Sequence, residues 1–264
     1  MKDTLDPITI YEKTLENQIE VTEAIEYLIS IIETSNNTNK RLESLEILLK
    51  IKHFSQNIFN TLENCIISDE HEGIRIACAR IIIENYLLTG EECLKWVLLN
   101  DKSSKLLKVL GDMLGALEDI QKKDLYPVFL QRIDRIAEEF EIDSEEVLFL
   151  LDLDFNLKKF SFIEWNSNCK LFYDEITIFQ VKNQHIIELS ISLRNAVPSS
   201  IYLLKNLKNL NLSCNNLTNL PNTLSELSNL ESLDLSWNDF TEIPEVVSKL
   251  NTIKKLNFQN NLSQ

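Results

Sequence analysis

Apolar residues recur along the chain with two different periods, and the change between them divides the sequence into two parts. From about residue 9 to residue 151, apolar positions follow one another three and four residues apart, with short polar or acidic breaks. This pattern is typical of successive amphipathic helices. Thr89 and Asp143 precede acidic first turns and are predicted N-caps. The predicted helices span residues 9–34, 40–52, 55–67, 70–87, 90–99, 102–120, 125–140 and 143–151.

A single sequence unit repeats through the remaining part of the chain. Pro198, Pro221 and Pro244 are evenly spaced, and each follows an aliphatic residue. The first unit is degenerate, because Ser192 stands in place of an asparagine and Arg194 in place of a buried leucine. The predicted units span residues 184–206, 207–229, 230–252 and, in part, 253–264.

Each unit has a physical interpretation. The Leu-x-Leu alternation predicts a short strand with one face directed inward. The asparagine that follows can hydrogen-bond backbone groups at the bend where the chain leaves the sheet, so successive asparagines form a ladder. The proline opens a segment with apolar residues three apart, which predicts a short helix or 3₁₀ turn. Stacking the units buries each apolar column against its neighbour.

The motif Leu-x-x-Leu-x-Leu-x-x-Asn-x-Leu-x-x-Leu-Pro resembles the leucine-rich repeat, in the 23-residue Leu-Pro form of SHOC-like and Ras-suppressor-like proteins. A Leu-rich amphipathic helix does not account for the pattern, since it would not place Pro and Asn at constant offsets. The resemblance implies a solenoid with a parallel sheet. It also implies partners such as small GTPases, phosphatases or other members of signalling assemblies.

The helical part contains a weaker repeat. Segments beginning at Arg41, Arg75 and Lys105 recur at similar but unequal intervals, and Asp69 and Asp101 precede the last two. A basic residue at a helix start, followed by small and aliphatic residues, resembles the HEAT-type helical repeat; an irregular helical bundle is the alternative. The predicted fold class is therefore an α+β repeat protein. It comprises a HEAT-like helical domain at residues 1–154, a junction with a capping hairpin at 155–183, and leucine-rich repeats at 184–264.

Two strand-like runs precede the first repeat, at residues 176–181 and 185–189, and residues 182–184 join them. They predict a hairpin that shields the apolar end of the first repeat from water. The aromatic-rich stretch from Phe155 to Tyr173 is predicted to pack at the junction between the two parts rather than to bind a ligand.

The charge balance limits the classes of partner. The chain has 26 Lys and Arg against 41 Asp and Glu, a net charge of −15. Residues 1–150 hold 29 of these acidic and 16 of the basic residues, so the excess belongs to the helical part. Because binding to nucleic acid depends on neutralising phosphates, this composition argues against a nucleic-acid partner.

Other composition features bear on location and chemistry. The first 30 residues lack the apolar core of a signal peptide, and no run of about 18 uncharged apolar residues predicts a membrane span. Five cysteines without Cys-x-x-Cys spacing are typical of reduced residues, so a cytoplasmic location is expected. The three histidines lack metal-ligand spacing, and the four glycines form no phosphate loop. We expect no catalytic, cofactor-binding or metal-binding residues, and no enzyme activity.

The repeat pattern predicts which side chains face outward, because they alternate with the buried leucines. The predicted columns align Glu188 with Asn211 and Ser190 with Ser213. Trp237 stands on a small, polar face, where it would anchor a partner; folding over its own Leu-Pro loop is the alternative. The predicted partner-binding residues are Glu188, Ser190, Asn209, Asn211, Ser213, Ser232, Asp234, Ser236, Trp237, Lys255, Asn257 and Gln259.

These observations predict a non-catalytic scaffold or adaptor that binds a protein or an extended peptide. Four strands about 4.8 Å apart give a face smaller than the roughly 800 Å² per partner of a stable interface. The alternative is the recognition portion of a larger enzyme or GTPase-signalling assembly whose catalytic part is elsewhere. Self-association through the edge strand at residues 253–258 is a further expectation, and Lys254 and Lys255 are predicted to guard this edge against pairing.

Overall fold

The computed structural model describes residues 6–119, 124–157, 160–166, 169–192 and 194–262. The chain divides into two compact units, Met1–Asp101 with Val109–Phe129, and Lys102–Lys108 with Leu130–Gln264. The predicted limit at residue 154 lies inside the second of these units, which includes residues 130–154 as well as the sheet. The helices in the described ranges are α1 (Pro7–Leu15), α2 (Val21–Thr34), α3 (Thr38–Ile51), α4 (Gln56–Ser68), α5 (Glu72–Asn85), α6 (Glu91–Asn100), α7 (Ser104–Ala116), α8 (Tyr126–Phe140) and α9 (Ser144–Asp152).

The helices of the first unit stack in two layers. Helix α2 packs on α3 and α4 packs on α5, while α3 contacts α5, α2 contacts α4 and α4 contacts α6. Leu28, Leu45 and Leu62 are fully buried between them. This stacking accounts for the apolar residues at spacings of three and four.

Ion pairs of the helical part follow its weaker repeat. Arg41 at the start of α3 pairs with Asp69, and Arg75 at the start of α5 pairs with Asp101 at 2.9 Å from its Nε to the carboxylate. Arg75 is 6% exposed, and it also donates to the carbonyl of Asp69. The first two copies of the repeat therefore have a structural counterpart, while the HEAT-type identity stays a prediction.

The structure corrects two details of the helix prediction. The helix predicted over residues 9–34 is divided into α1 and α2, because Asn17 adopts a left-handed φ of 56°. Gln18 then donates its N–H to the carbonyl of Lys13, which is the hydrogen bond of a Schellman C-cap. The predicted cap at Thr89 is wrong, since α6 begins after Gly90 without a side-chain cap. The predicted N-cap at Asp143 is confirmed, because its carboxylate accepts the N–H of Glu145.

Over its described residues, the second unit contains one sheet of seven strands in the order β1 to β7. Strands β1 to β4 pair antiparallel, and β4 to β7 pair parallel. The predicted hairpin is confirmed as β3 and β4, and its turn residues Asn183 and Gln184 both have positive φ, as a two-residue hairpin requires. The strands are β1 (Ser161–Asn166), β2 (Cys169–Tyr173), β3 (Thr177–Lys182), β4 (His185–Ile191), β5 (Asn209–Asn211), β6 (Ser232–Asp234) and β7 (Lys255–Asn257).

A cluster of phenylalanines packs α8 against the antiparallel strands. Phe140, at the end of α8, has its ring centroid 4.7 Å from that of Phe160 and 5.1 Å from that of Phe172. Phe155 and Phe179 complete the cluster, with centroids 5.3 Å apart. The aromatic stretch predicted to pack at the junction thus forms a core inside the second unit; the side chain of Trp165 lies outside the described residues.

The predicted asparagine ladder is confirmed in the parallel part. The Asn238 amide donates to the carbonyl of Leu212, and its oxygen accepts the N–H of Leu217. Asn215 and Asn261 make equivalent hydrogen bonds in the units before and after. Each proline opens the predicted 3₁₀ segment, at Ser199–Leu203, Asn222–Glu226 and Glu245–Lys249.

The register of the first repeat differs from the prediction. Strand pairing places Glu188 opposite Asn209 and Ser190 opposite Asn211, two residues away from the predicted alignment. The bend after β4 is shorter by two residues, because Asn215 bonds both Ile191 and Arg194 where Asn238 bonds residues 212 and 217. The guanidinium of Arg194 donates to the carbonyl of Leu153, which explains a polar residue at a leucine position.

Candidate functional site

The face of the sheet directed away from the core carries two continuous rows of side chains, and we call it the open face. Alternate residues of a strand point to opposite faces, so the rows alternate with buried residues such as Phe172, Leu189 and Leu210. One row consists of Ser161, Tyr173, Ile178, Ser190, Asn211, Asp234 and Asn257, and the other of Ile163, Leu171, Gln180, Glu188, Asn209, Ser232 and Lys255.

The predicted partner-binding residues fall in two groups. Ser213, Ser236, Trp237 and Gln259 lie just beyond the carboxyl ends of the parallel strands. Ser236 was predicted to face outward, but it is buried, because its hydroxyl donates to Asp234 at 2.6 Å. The eight that lie in the two rows are Glu188, Ser190, Asn209, Asn211, Ser232, Asp234, Lys255 and Asn257.

A groove of about 330 Å³ lies in the middle of the open face, over β2 to β6. Leu171 and Ile178 line one side of it. Glu188 and Asp234 line the other side, between neutral Ser, Asn and Gln residues. The charged lining residues are thus two carboxylates, and among the described residues neither forms an ion pair. The groove therefore has an apolar side and an anionic side.

Hydrogen bonds from neutral groups hold both carboxylates in place. Glu188 accepts from the amide of Asn209 at 2.8 Å. Asp234 accepts from the backbone N–H of Ser236 at 2.9 Å and from the amide of Asn257 at 3.1 Å. Because neutral donors leave the negative charge in place, the anionic side is pre-positioned and available to a cation.

Trp237 lies at the rim of the open face and is 61% exposed. Its φ of 57° matches those of Cys214 and Asn260, at the same position of the neighbouring repeats. The left-handed turn comes from the repeat, and the Trp237 N–H donates to the carbonyl of Gln259. The backbone is therefore fixed by the array, while the indole is free to contact a partner.

The two predicted guard residues at the edge of the sheet differ in their contacts. Lys254 pairs with Glu231 of the preceding repeat at 2.8 Å, and this contact lowers the pKa of the Glu231 carboxyl. Lys255 is the last side chain of its row on the open face and is exposed. The positive charge of the open face is thus confined to its β7 end.

Sequence reasoning missed the part of the open face on β1 and β2. Ile163, Leu171 and Tyr173 extend the rows beyond the repeats and add apolar surface to them. The signal was present as the alternation of aromatic and other residues around Phe160, Phe162 and Phe172, which is typical of strands. The aromatic content itself suggested only a packing role.

A buried carboxylate lies where α9 contacts the β3–β4 hairpin. Glu146 is 2% exposed, accepts the N–H of Ile186 at 3.0 Å, and has its other oxygen 3.4 Å from Nδ1 of His185. Burial, together with the negative charge of Asp143, raises the pKa of the Glu146 carboxyl to about 8 against the opposing effect of the Ile186 N–H. The site is enclosed and holds the hairpin to the helix.

Another buried titratable group is the thiol of Cys93 on α6. Burial raises the pKa of the Cys93 thiol to about 11, which leaves it protonated and unreactive. Within the described ranges, no group of three or more His, Cys, Asp or Glu side chains is arranged to hold a metal ion. None of the helices described is long and apolar enough to cross a membrane.

Comparisons with known proteins agree with the geometry of the repeats. Residues 187–240 match the family model described as leucine rich repeat. A chain in the solved structure titled "Crystal structure of PEPR1-AtPEP1" has 29% sequence identity to this protein, with a TM-score of 0.25. The match covers 30% of this chain and 12% of the other chain. No curated protein matches the sequence. On the family match, residues 187–240 of this chain form leucine-rich repeats.

Proposed function

We propose that the protein is a non-catalytic scaffold or adaptor that binds a protein or peptide partner on the open face. The observation that carries this proposal is the continuity of the two rows from the repeats onto β1 to β3. Seven strands about 4.8 Å apart span about 29 Å, whereas the repeats alone would offer about half of that width. A surface of this width accommodates an extended segment of about nine residues.

The composition of the open face supports binding of a polypeptide. It combines apolar side chains, amides and hydroxyls with a few charges, which is the mixture found in protein interfaces. Exposed tryptophan is enriched among residues that dominate binding energy, and Trp237 lies at the rim. The face is smaller than a standard stable interface, which favours an extended peptide or a partner that also contacts other surfaces.

The test is affinity capture by wild-type protein and by the Trp237→Ala variant. We expect the variant to lose captured partners while its thermal unfolding temperature changes by less than about 2 °C, since the indole is mostly exposed. Trp96→Ala is the matched control, because Trp96 is also exposed, at 47%, but lies on α6 of the first unit.

The two variants separate the outcomes. Loss of partners in Trp237→Ala with retention in Trp96→Ala supports binding on the open face. The reverse result assigns binding to the helical unit and refutes the proposal. A large fall in the unfolding temperature of Trp237→Ala would assign the indole to the structural core of its repeat.

A further inference from the structure

We infer that the open face selects an extended, cationic peptide in which a large apolar residue and a Lys or Arg stand about four positions apart. This inference rests on the proposed function and specifies the chemistry of its partner. It depends on the division of the groove into an apolar side on β2 and β3 and an anionic side on β4 to β6.

The apolar side is formed by residues outside the repeats. Ile178 is 45% exposed and Ile163 is 48% exposed, although both stand in a folded sheet. Leu171 lies between the strands that carry them, opposite Ile163 and Gln180, and Tyr173 lies opposite Ile178. Together these four side chains form one continuous apolar patch. Covering such a patch with an apolar side chain is favourable by about 25 cal/mol per Å².

The anionic side determines the sign of the partner's charge. Glu188 and Asp234 are the charged residues that line the groove, and both are held by neutral amides. A cation beside Asp234 would gain charge-assisted hydrogen bonds without displacing an existing ion pair among the described residues, and Glu188 adds negative charge to the same side of the groove. An acidic peptide would meet like charge at the same place, which disfavours it.

The spacing follows from the strand order. Ile178, Ser190, Asn211 and Asp234 lie in one row on consecutive strands β3 to β6. Three strand spacings of about 4.8 Å place Ile178 and Asp234 about 14 Å apart. An extended chain advances about 3.3 Å per residue, so about four residues cover this distance, and residues two and four apart face the same side.

The experiment selects peptides from a displayed library of random nonapeptides against the full chain. Affinities of the selected peptides are then measured by fluorescence anisotropy for wild type and variants. The test variants are Ile178→Ser, which removes the apolar contact, and Glu188→Gln with Asp234→Asn, which removes both charges but keeps the oxygens that accept the existing hydrogen bonds.

Two matched controls lie on an exposed loop after β6. Ile243→Ser removes an isoleucine that is 50% exposed, close to the exposure of Ile178. Glu242→Gln removes an exposed carboxylate beside it. Circular dichroism of every variant confirms that the sheet is intact, so that a loss of binding reports on contact rather than on folding.

We expect selected peptides to carry Lys or Arg about four residues before or after a large apolar residue. Binding should weaken about tenfold in Ile178→Ser and about fivefold in the double carboxylate variant, with no change in the controls. Raising the salt concentration should weaken binding to wild type more than to the carboxylate variant, because exposed charges are screened.

Two results would overturn the inference. Selected peptides that lack a cation but still depend on Ile178 would show that the face binds peptides of different chemistry, and the proposed function would stand. Selected peptides whose affinity changes neither in Ile178→Ser nor in the double carboxylate variant would exclude the open face as a peptide-binding site. The proposed function would then fail as well only if capture is also insensitive to Trp237→Ala.

Discussion

The buried carboxylate of Glu146 predicts a specific dependence of stability on pH, which the Glu146→Gln variant isolates. In the folded protein, burial raises the pKa of this carboxyl from 4.5 to about 8. The unfolded chain releases the proton near pH 4.5, so between pH 4.5 and 8 the folded state binds more protons than the unfolded state. The contribution to stability is therefore fully present at low pH and is lost as pH rises through this window.

The magnitude follows from the pKa. At about 1.4 kcal/mol per pKa unit, the free energy of unfolding falls by about 4 kcal/mol between pH 5 and pH 8 because of this one group. Glutamine cannot ionise, but its oxygen can still accept the Ile186 N–H. The variant should thus match wild type near pH 5 and exceed it by about 4 kcal/mol at pH 8.

The assay is urea unfolding followed by circular dichroism at intervals between pH 5 and pH 9, with the difference between variant and wild type taken at each pH. Glu145→Gln is the control, since Glu145 is 63% exposed and contacts Lys205 only at 3.6 Å. Its effect should stay below about 1 kcal/mol at every pH. A difference between Glu146→Gln and wild type that does not vary with pH would refute the assignment of a buried, protonated carboxyl.

Two further predictions concern packing and the asparagine ladder. Gly111→Ala should lower the free energy of unfolding by about 1–3 kcal/mol, because the added methyl would lie 2.4 Å from the ring of buried Phe129. Gly115→Ala should instead raise it by about 0.5–1 kcal/mol, because its methyl would lie 3.7 Å from the nearest atom and would fit without strain. Thermal unfolding of the pair measures both, and equal effects would contradict the packing argument. Asn238→Ala should cost about 2–4 kcal/mol, because it leaves buried backbone groups of two repeats without partners, while exposed Asn216→Ala should cost less than about 1 kcal/mol. Denaturant unfolding decides this, and similar costs for the two asparagines would exclude a structural ladder.

Local periodicity was sufficient to predict the structure wherever each repeat contacts the next one in the same way. The buried positions of Leu210 and Leu233, the ladder of Asn215 and Asn238, and the 3₁₀ segment after Pro221 all follow from the regular spacing of the repeats. Their environment is another copy of the same unit, so the sequence contains both sides of each contact.

Periodicity failed to predict the structure where a strand or a repeat contacts a helix or another element outside the repeats. The first bend is shorter by two residues, because Arg194 there bonds the end of α9 at Leu153 instead of packing a leucine. Strands β1 and β2 were missed for the same reason. Phe172 of β2 and the neighbouring Phe160 pack on Phe140 at the end of α8, a separate element earlier in the chain, and no local pattern reveals that contact.

The sequence by itself determined that the protein has a helical part, leucine-rich repeats and a capping hairpin, because helix and strand periods and turn residues are local properties. Tertiary structure alone decided the extent of the open face, its apolar and anionic sides, and the burial of Glu146. These features depend on which strands pair and which helix covers them, since the free energy of burying a charge or exposing an isoleucine is set by distant neighbours.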